Sequence, residues 1–355
     1  MSRFLSQRFA GLAAYTPGEQ PQDMQYVKLN TNESPFPPSP EVIAAVNTYE
    51  VGRLNLYPDP DCRRLRKKLA NLYGVGEENV FLSNGSDDIL NFAFMAFCDE
   101  SRPVAFPAIS YGFYPVYADL YRLPYAAVPL REGFRLEAED YCGIGKNIVI
   151  ANPNAPTGRA VSVPEIEKIV RSNTDHVVLI DEAYVDFGGE SCRGLIPQYE
   201  NLLVCQTFSK SRSMAGGRLG FALGSAGLIA DLNKIKFSTN PYNINRLTLV
   251  AAEAAVDSND YYMENCRTIA ENRAYTVSKL DQLGFETVPS VANFIFTRRP
   301  GMEGDSLYRA LKAKGVLVRH WDKPEISDYL RVTIGSREQM DVFLAKVREI
   351  LEEVQ

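Results

Sequence analysis

Residues 176–184 have the sequence His-Val-Val-Leu-Ile-Asp-Glu-Ala-Tyr, an apolar run that ends in an acidic residue, Asp181. The apolar part is continuous rather than alternating, which is typical of a strand covered by helices on both faces. A carboxylate at the end of such a strand is costly to bury unless a partner compensates for its lost hydration. The stretch therefore predicts a parallel strand of an α/β sheet, with Asp181 at the edge where ligands bind.

Four more continuous apolar runs repeat this pattern, at residues 79–83, 103–106, 147–151 and 201–205. Helix-like segments lie between them, for example at residues 87–97 and 163–172. This alternation predicts an α/β fold with a mostly parallel sheet covered by helices. We expect it to form a large domain over residues 31–240.

The two ends of the chain differ from this pattern. Residues 1–30 are predicted to form an N-terminal arm that starts with a short amphipathic helix. Residues 241–355 are predicted to form a smaller α+β domain, with a long helix at about 245–283, strands at 292–297 and 330–334, and a closing helix at 337–354.

Composition and charge exclude several classes of protein. The 355 residues are 45% hydrophobic and 23% charged, and the formal net charge of -6 disfavours a nucleic-acid partner. Six scattered cysteines and two histidines do not have the spacing of a zinc site. No apolar run approaches the roughly 18 residues of a membrane span, and the first ten residues do not resemble a signal peptide. We expect a cytoplasmic protein without metal, membrane or nucleic-acid partners.

The strand at 79–83 leads into Ser83-Asn-Gly-Ser-Asp-Asp88, directly before a predicted helix. Backbone N–H groups at a helix N-terminus, together with the helix dipole, bind phosphate groups well. Asn-Gly is also a common turn, and Ser86 or Asp87 a common helix cap. The loop alone is therefore a weak indication of a phosphate site.

The strand at 201–205 leads into Gln206-Thr-Phe-Ser-Lys210, and Arg218 follows eight residues later. A desolvated lysine near other cations has a lowered pKa and can attack an aldehyde, while an arginine supplies a fixed charge for a phosphate. A pyridinium N–H would be a suitable partner for Asp181. Each residue alone could equally be a solvated lysine, a surface arginine or a helix cap. Their joint occurrence at successive strand ends predicts a single site.

With these residues the sequence resembles the fold-type I aminotransferases, which depend on pyridoxal 5'-phosphate (PLP). Within that group it is most similar to the histidinol-phosphate aminotransferase family, and the similarity covers nearly the whole chain. The matching motifs are Leu29-Asn-Thr-Asn-Glu-Ser-Pro35, Leu56-Tyr-Pro-Asp-Pro60, Asn84-Gly-Ser-Asp87, Asn152-Pro-Asn-Ala-Pro-Thr-Gly158, Asp181-Glu-Ala-Tyr184, Thr207-Phe-Ser-Lys210, Ala215-Gly-Gly-Arg-Leu-Gly220, Ala292-Asn-Phe294 and Leu330-Arg-Val-Thr-Ile-Gly335.

The resemblance implies a role for each matching residue that touches the cofactor. Lys210 would bind the cofactor aldehyde and move the substrate proton, Asp181 would pair with the ring nitrogen, and Tyr184 would donate to the phenolic oxygen. Tyr111 would stack on the ring. The cofactor phosphate would be held by Gly85, Ser86, Asp87, Ser209 and Arg218.

The resemblance also implies a homodimer and a set of substrate contacts. Tyr57 would reach the cofactor phosphate of the neighbouring subunit. The substrate contacts would be Tyr15, Asn32, Arg319 and Arg331.

The sequence departs from the family pattern at three places. Ala155 stands where an asparagine usually contacts the phenolic oxygen, so that contact either shifts to Asn154 or is left to Tyr184. The segment 107–111 is one residue longer than usual, which affects the register of Tyr111. Asp88 replaces a customary glutamate without an expected consequence.

The expected reaction is transamination of L-histidinol phosphate with 2-oxoglutarate, which gives imidazole acetol phosphate and L-glutamate, a step of histidine biosynthesis. Transamination of aromatic amino acids would use the same cofactor residues and a different substrate pocket. Decarboxylation of a phosphorylated amino acid and a non-enzymatic binding function are further alternatives. The sequence does not decide between the amino donors, because arginine recognises both phosphate and carboxylate.

Overall fold

The computed structural model describes residues 4–9 and 11–354. Its strands are β1 (Val27–Lys28), β2 (Val80–Ser83), β3 (Val104–Pro107), β4 (Tyr125–Val128), β5 (Asn147–Ala151), β6 (Val178–Asp181), β7 (Leu202–Thr207), β8 (Gly220–Gly224), β9 (Glu286–Val288), β10 (Phe294–Arg298), β11 (Val316–Leu317) and β12 (Leu330–Thr333). Its α-helices are α1 (Pro40–Ala45), α2 (Thr48–Val51), α3 (Arg63–Tyr73), α4 (Ser86–Phe97), α5 (Phe113–Tyr121), α6 (Val163–Ser172), α7 (Ala226–Thr239), α8 (Arg246–Asp257), α9 (Asn259–Gln282), α10 (Gly304–Ala313) and α11 (Arg337–Val354).

The large sheet has seven strands in the order β2-β8-β7-β6-β5-β3-β4. Strands β7, β6, β5, β3 and β4 pair in parallel, whereas β8 runs antiparallel to both of its neighbours. All five apolar runs identified in the sequence are strands of this sheet, so the predicted α/β fold with a mostly parallel sheet is confirmed. Because the parallel strands share one direction, their carboxyl ends meet at one edge.

Side chains from both faces of the large sheet are buried. In β6, Val178 and Ile180 join one hydrophobic cluster, whereas Leu179 joins a second cluster on the opposite face. Burial of each such side chain contributes about 1.5–3 kcal/mol, so a strand with two apolar faces is fixed firmly in the middle of the sheet. This double burial explains why the strands are continuous apolar runs in the sequence.

The predicted long helix at 245–283 is wrong in one respect, because two helices, α8 and α9, meet at Ser258. The Ser258 hydroxyl hydrogen-bonds to Ser39 at 3.1 Å and to Glu41 at 3.0 Å. These contacts to the start of α1 hold the chain in a bend that the helical pattern does not reveal.

Helix α8 packs into the core of the large sheet, with Ala252 and Ala255 buried there. The domain boundary near residue 241 stays a prediction.

The C-terminal part forms a three-stranded antiparallel sheet in the order β12-β10-β9, packed against α9 and α11. The arm joins it, because β1 pairs in parallel with β11. The amphipathic helix predicted in the arm is a single 3-10 turn at Gln7–Phe9 within the described residues, and residues 1–3 and 10 lie outside them. So short a segment is not a stable helix without a packed face.

Neither a helix suited to a bilayer nor a cluster suited to a metal ion occurs in the described ranges. None of the helices there combines the length and apolar character that crossing a bilayer requires. Residues 4–9 and 11–354 also contain no group of three or more His, Cys, Asp or Glu side chains placed to hold a metal ion.

Candidate active site

A cavity lies at the carboxyl ends of β5, β6 and β7, where Ala151, Asp181 and Thr207 end their strands. The N-terminus of α4 and the loop after β7 complete its wall. Its lining residues are Ser86, Asp87, Tyr111, Ala151, Ala155, Asp181, Ala183, Tyr184, Thr207, Ser209, Lys210 and Arg218. The fold thus gathers into one cavity most of the side chains that the sequence singled out.

Asp181 is 5% exposed and accepts hydrogen bonds from neutral donors only. The Tyr114 hydroxyl donates to Oδ2 at 3.0 Å, and the Ala183 N–H donates to Oδ1 at 3.2 Å. Burial raises the pKa of this carboxyl to about 6, so it is mostly ionised at neutral pH. Among the described residues it forms no ion pair, which leaves a buried carboxylate suited to a cationic N–H from a ligand.

Tyr114 was not identified from the sequence, although it lies three residues after Tyr111. Its side chain is completely buried behind Asp181, and burial raises the pKa of its hydroxyl far above the ordinary value. The hydroxyl therefore acts only as a hydrogen-bond donor to Asp181. Its signal was the aromatic cluster at 111–114, but only the fold shows that the hydroxyl meets Asp181.

A cradle for an anion forms at the N-terminus of α4. Gly85 precedes the helix with φ 93°, and no side chain caps the first turn. Strand β8 approaches so closely that a Cβ on Gly220 would lie 2.5 Å from the Ser86 nitrogen. The glycines thus leave the N–H groups at this helix end open to an anion, where the helix dipole is also favourable.

The Arg218 guanidinium lies beside this helix end. It is 3.4 Å from the Ser209 hydroxyl and 3.2 Å from Asp87 Oδ2, and the Tyr111 hydroxyl donates to the other Asp87 oxygen at 2.7 Å. A phosphate dianion would be repelled by the Asp87 carboxylate. Asp87 can therefore hold a phosphate only through its backbone N–H, while its carboxylate orients Arg218 and Tyr111.

Lys210 points into the same cavity from the loop after β7. Its Nζ donates to the Thr31 carbonyl at 3.0 Å and lies 5.8 Å from the centre of the Tyr184 ring. Burial, reinforced by the charge of Arg331, lowers the pKa of this amine to about 8. At pH 7 roughly a tenth of Lys210 is therefore unprotonated, far more than for a free lysine, and the unprotonated amine is the nucleophile.

Tyr184 lines the cavity beside Lys210, with its ring packed edge-on against Phe294 at 4.9 Å. Its hydroxyl accepts a hydrogen bond from Asn32 Nδ2 at 3.0 Å. Burial raises the pKa of the Tyr184 hydroxyl, so it keeps its proton at neutral pH. That proton remains available to a ligand.

A second cavity, called the outer cavity below, continues outward from Lys210. It contains the four predicted substrate contacts, Tyr15, Asn32, Arg319 and Arg331. Tyr15 is held there by stacking on Phe113 at 4.1 Å. Trp321, the single tryptophan of the chain, was missed in the sequence although it follows Arg319 by two residues. Its ring lies 5.5 Å from the Arg319 guanidinium and 5.3 Å from that of Arg331.

Asn154 was predicted to contact the cofactor and Tyr57 to reach the cofactor of a neighbouring subunit, and neither lines these two cavities of its own chain. The Asn154 side chain donates to the Ile109 carbonyl at 3.1 Å and to Thr157 at 3.0 Å, and it accepts from Ser110 at 2.8 Å. It thereby ties its loop together, while Ala155 faces the cavity. Tyr57 lies on the surface, where it stacks on Tyr242 at 4.5 Å.

The polar groups of the first cavity, called the inner cavity below, match PLP in charge and position. The helix end with Arg218 and Ser209 suits a phosphate, the buried Asp181 suits a protonated ring nitrogen, and the Lys210 amine suits an aldehyde. Sheet topology and donor set together define the class of fold-type I PLP-dependent enzymes.

The chain belongs to the aminotransferase class I and II family, whose model matches residues 24–347. Aminotransferases of this family use PLP. Over 351 residues the chain is 46% identical to a histidinol-phosphate aminotransferase of Clostridium botulinum (strain Langeland), and over 352 residues 46% identical to one of Brachyspira hyodysenteriae; each match covers 99% of both chains. The resemblance stated from the motifs is therefore confirmed.

Solved structures agree on the fold. The histidinol-phosphate aminotransferase of Sinorhizobium meliloti, solved in complex with pyridoxal-5'-phosphate, superposes with a TM-score of 0.85 at 22% sequence identity. The match covers 93% of this chain and 92% of that one.

Lys210→Ala is expected to abolish turnover and leave the fold intact, because it removes the amine that bonds to the cofactor. Borohydride reduction followed by peptide mapping should place the cofactor on Lys210 in the wild-type protein. Lys236 is an internal control, since it is buried and burial lowers its pKa, but it donates to the Pro60 carbonyl at 3.0 Å outside the cavity. Label on Lys236, or near-normal turnover of the variant, would overturn the assignment.

Asp181→Asn is expected to lower kcat by at least about 10²-fold, roughly 2.7 kcal/mol, because the neutral amide no longer keeps a ring nitrogen protonated. Cofactor affinity should change much less, since the phosphate contacts remain. Steady-state kinetics and a cofactor titration would separate the two effects. A kcat within tenfold of wild type would mean that Asp181 serves only the local structure.

Proposed function

We propose that this protein transfers the amino group of L-histidinol phosphate to 2-oxoglutarate, with PLP held by Lys210, Asp181 and the phosphate cradle at α4. The observation that carries the choice of donor is the arginine pair at the outer cavity, Arg319 and Arg331. The relatives that match over their full length are named for this activity.

The two arginines lie directly opposite each other on adjacent backbone segments. The Arg319 N–H donates to the Arg331 carbonyl at 3.0 Å, and the Arg331 N–H donates back at 2.9 Å. Like charges in such a pair are destabilising, which favours a role that requires an anion between them. A phosphate dianion has enough charge and enough acceptor oxygens to bind two guanidinium groups, whereas one guanidinium group suffices for a carboxylate.

Arg331 has a free donor for such a ligand. Its Nη2 donates to the Asn30 carbonyl at 2.9 Å, whereas its Nε is buried without a hydrogen-bond partner. Burial and the neighbouring Arg319 lower the pKa of Arg331, although its guanidinium stays protonated. A bound anion would satisfy Nε and relieve the repulsion, and the oxo-acid carboxylate would use the same group in the second half-reaction.

Bound PLP supplies an electron sink for the charge that develops when a substrate Cα loses its proton. Asp181, which is itself buried, would stabilise a positive charge on the ring nitrogen. The Lys210 amine, with its lowered pKa, takes the Cα proton near neutral pH. Tyr184, which keeps its proton, would donate a hydrogen bond to the phenolic oxygen. The arginines hold the substrate so that its Cα faces Lys210.

Arg319→Ala is expected to raise KM for histidinol phosphate tenfold or more and to affect the 2-oxoglutarate half-reaction less, because Arg331 alone suffices for a carboxylate. Single-turnover measurements of each half-reaction would test this. Arg309→Ala, which removes an exposed arginine paired with Asp305, is the control for loss of charge.

Equal losses for phosphorylated and aromatic donors in Arg319→Ala would favour an aromatic aminotransferase. Steady-state comparison of wild type with histidinol phosphate, phenylalanine, tyrosine and phosphothreonine distinguishes the remaining alternatives. Release of carbon dioxide from phosphothreonine would indicate a decarboxylase.

The proposal includes a homodimer, supported by the surface around Tyr57. Tyr57 is 77% exposed, and its neighbours Tyr49, Leu54 and Leu56 are each at least half exposed, which is unusual for adjacent large apolar side chains. A second copy of the chain that covers this patch would also bring Tyr57 near a cofactor phosphate. The expected cytoplasmic location is part of the same proposal and is consistent with six cysteines that form no disulfide.

Tyr57→Phe is expected to weaken PLP binding several-fold without changing the oligomeric state, because one hydrogen bond to a phosphate is lost. The measurements are PLP titration of apoenzyme and light scattering of the eluted species. Tyr49→Phe is the matched control, since Tyr49 is 69% exposed on the same surface. An active monomer, or equal affinities for the two variants, would contradict this part of the proposal.

A further inference from the structure

The Ala155 side chain offers no hydrogen bond at the position where the motif resemblance implies an asparagine amide. Its methyl group instead packs with Ala292, Phe294 and the ring of Tyr184. The nearest amide, that of Asn154, is held by Ile109 and Thr157. Among the described residues of the inner cavity, the donor left for a phenolic oxygen on this side is the Tyr184 hydroxyl.

The Asn32 side chain has a fixed orientation, set by Thr333 at the end of β12. The Thr333 hydroxyl accepts the Asn32 backbone N–H at 3.0 Å and donates to Asn32 Oδ1 at 3.0 Å. Since its lone pair receives the backbone N–H, the hydroxyl proton is directed to the side-chain oxygen. The amide nitrogen of Asn32 must then face the other way.

That nitrogen, Asn32 Nδ2, donates to the Tyr184 hydroxyl at 3.0 Å. A hydroxyl that accepts a hydrogen bond from one side directs its own proton elsewhere, and the cavity lies on the open side. Asn32 is 1% exposed, has φ 56°, and its carbonyl accepts from Asn293 Nδ2 at 3.0 Å. The left-handed backbone is one that asparagine tolerates better than most residues, so this conformation is firmly held.

We propose that Thr333 and Asn32 are positioning residues that point the Tyr184 proton at the phenolic oxygen of the cofactor. This series of hydrogen bonds compensates for the amide missing at Ala155. The inference deepens the proposed function and depends on its cofactor site. It also means that correct placement of the Tyr184 proton requires Asn32 and strand β12 to be in place beside Tyr184.

The proposal predicts how substitutions change the pH at which the Lys210–cofactor linkage loses its proton. A hydrogen-bond donor to the phenolic oxygen stabilises the deprotonated form of the linkage more than the protonated form. In the protonated form the negative oxygen already interacts with the linkage proton, so it gains less from a second donor. Weaker donation by Tyr184 therefore raises the pKa of the linkage. The other charged groups around Lys210 and Tyr184 are the same in wild type and in the uncharged variants below; they are Arg331, Arg218, Asp87, Asp181 and Glu33.

The test is the pH midpoint of the visible absorbance of the loaded enzyme. Tyr184→Phe should raise this midpoint by about one unit, the size of one lost hydrogen bond to a charged oxygen. Thr333→Val removes the hydroxyl without a change of shape or charge and should raise it by about half a unit or more. Thr333→Ser keeps the hydroxyl and should restore the wild-type value.

A double mutant separates positioning from general loosening of the site. If Thr333 acts through Tyr184, adding Thr333→Val to Tyr184→Phe should shift the midpoint no further. An additive shift, or an unchanged midpoint in Thr333→Val, would overturn the inference. Should Thr333→Val fail to fold, Asn32→Asp can replace it in the same double-mutant cycle, because aspartate also suits the left-handed backbone. Its added charge shifts the midpoint both with and without the Tyr184 hydroxyl. The part of the shift that disappears in the Tyr184→Phe background is therefore the part that acts through the hydroxyl.

Failure of the proposed function would look different. A wild-type protein that acquires no visible absorbance with PLP would contradict the cofactor site itself. A loaded enzyme whose midpoint is the same in wild type and in Thr333→Val would contradict only the positioning of Tyr184.

Discussion

The buried carboxylate of Asp181 is the constraint on which the site depends. Desolvation of an ionised group without a counter-charge is costly, and the fold offsets only part of that cost, with one hydroxyl and one backbone N–H. In the proposed site, a cationic ring nitrogen would compensate for the remainder. The large sheet keeps the carboxylate in place, because Asp181 pairs with Ala151 and Cys205 between two strands that are themselves buried.

The remaining polar groups are arranged by charge around this carboxylate. Cationic and N–H groups lie where a phosphate can bind, at Arg218 and the start of α4, and again at the outer arginine pair. Lys210 lies between the two, and its low pKa follows from burial and from Arg331. The same arginine that is suited to the substrate thus also helps to keep the amine reactive.

Residues 30–32 and strand β12 meet beside Lys210 and Tyr184. The segment directly after the arm supplies the Thr31 carbonyl that Lys210 contacts, and the next residue, Asn32, contacts Tyr184. Strand β12 supplies Thr333 and Arg331, which hydrogen-bond to Asn32 and to the Asn30 carbonyl. A shift of residues 30–32 or of β12 would therefore change both the substrate pocket and the hydrogen bonding of Tyr184.

The sequence by itself determined the sheet and the main chemical groups, because both have local signals. Continuous apolar runs identify strands with two buried faces, and polar residues soon after parallel strands lie at one edge, so the sequence pattern predicts one site with Asp181 and Lys210, and Arg218 follows eight residues after the lysine. The tertiary structure alone decided what depends on contacts between distant segments. Ser258 bends a helical pattern through contacts with residues more than 200 positions away, Tyr114 meets Asp181 across 67 residues, and Thr333 meets Asn32 across 301. The hydrogen bonds that tie up the Asn154 amide, and the exposure of Tyr57, likewise have no local pattern, since they depend on how the loops and surfaces are placed by the completed fold.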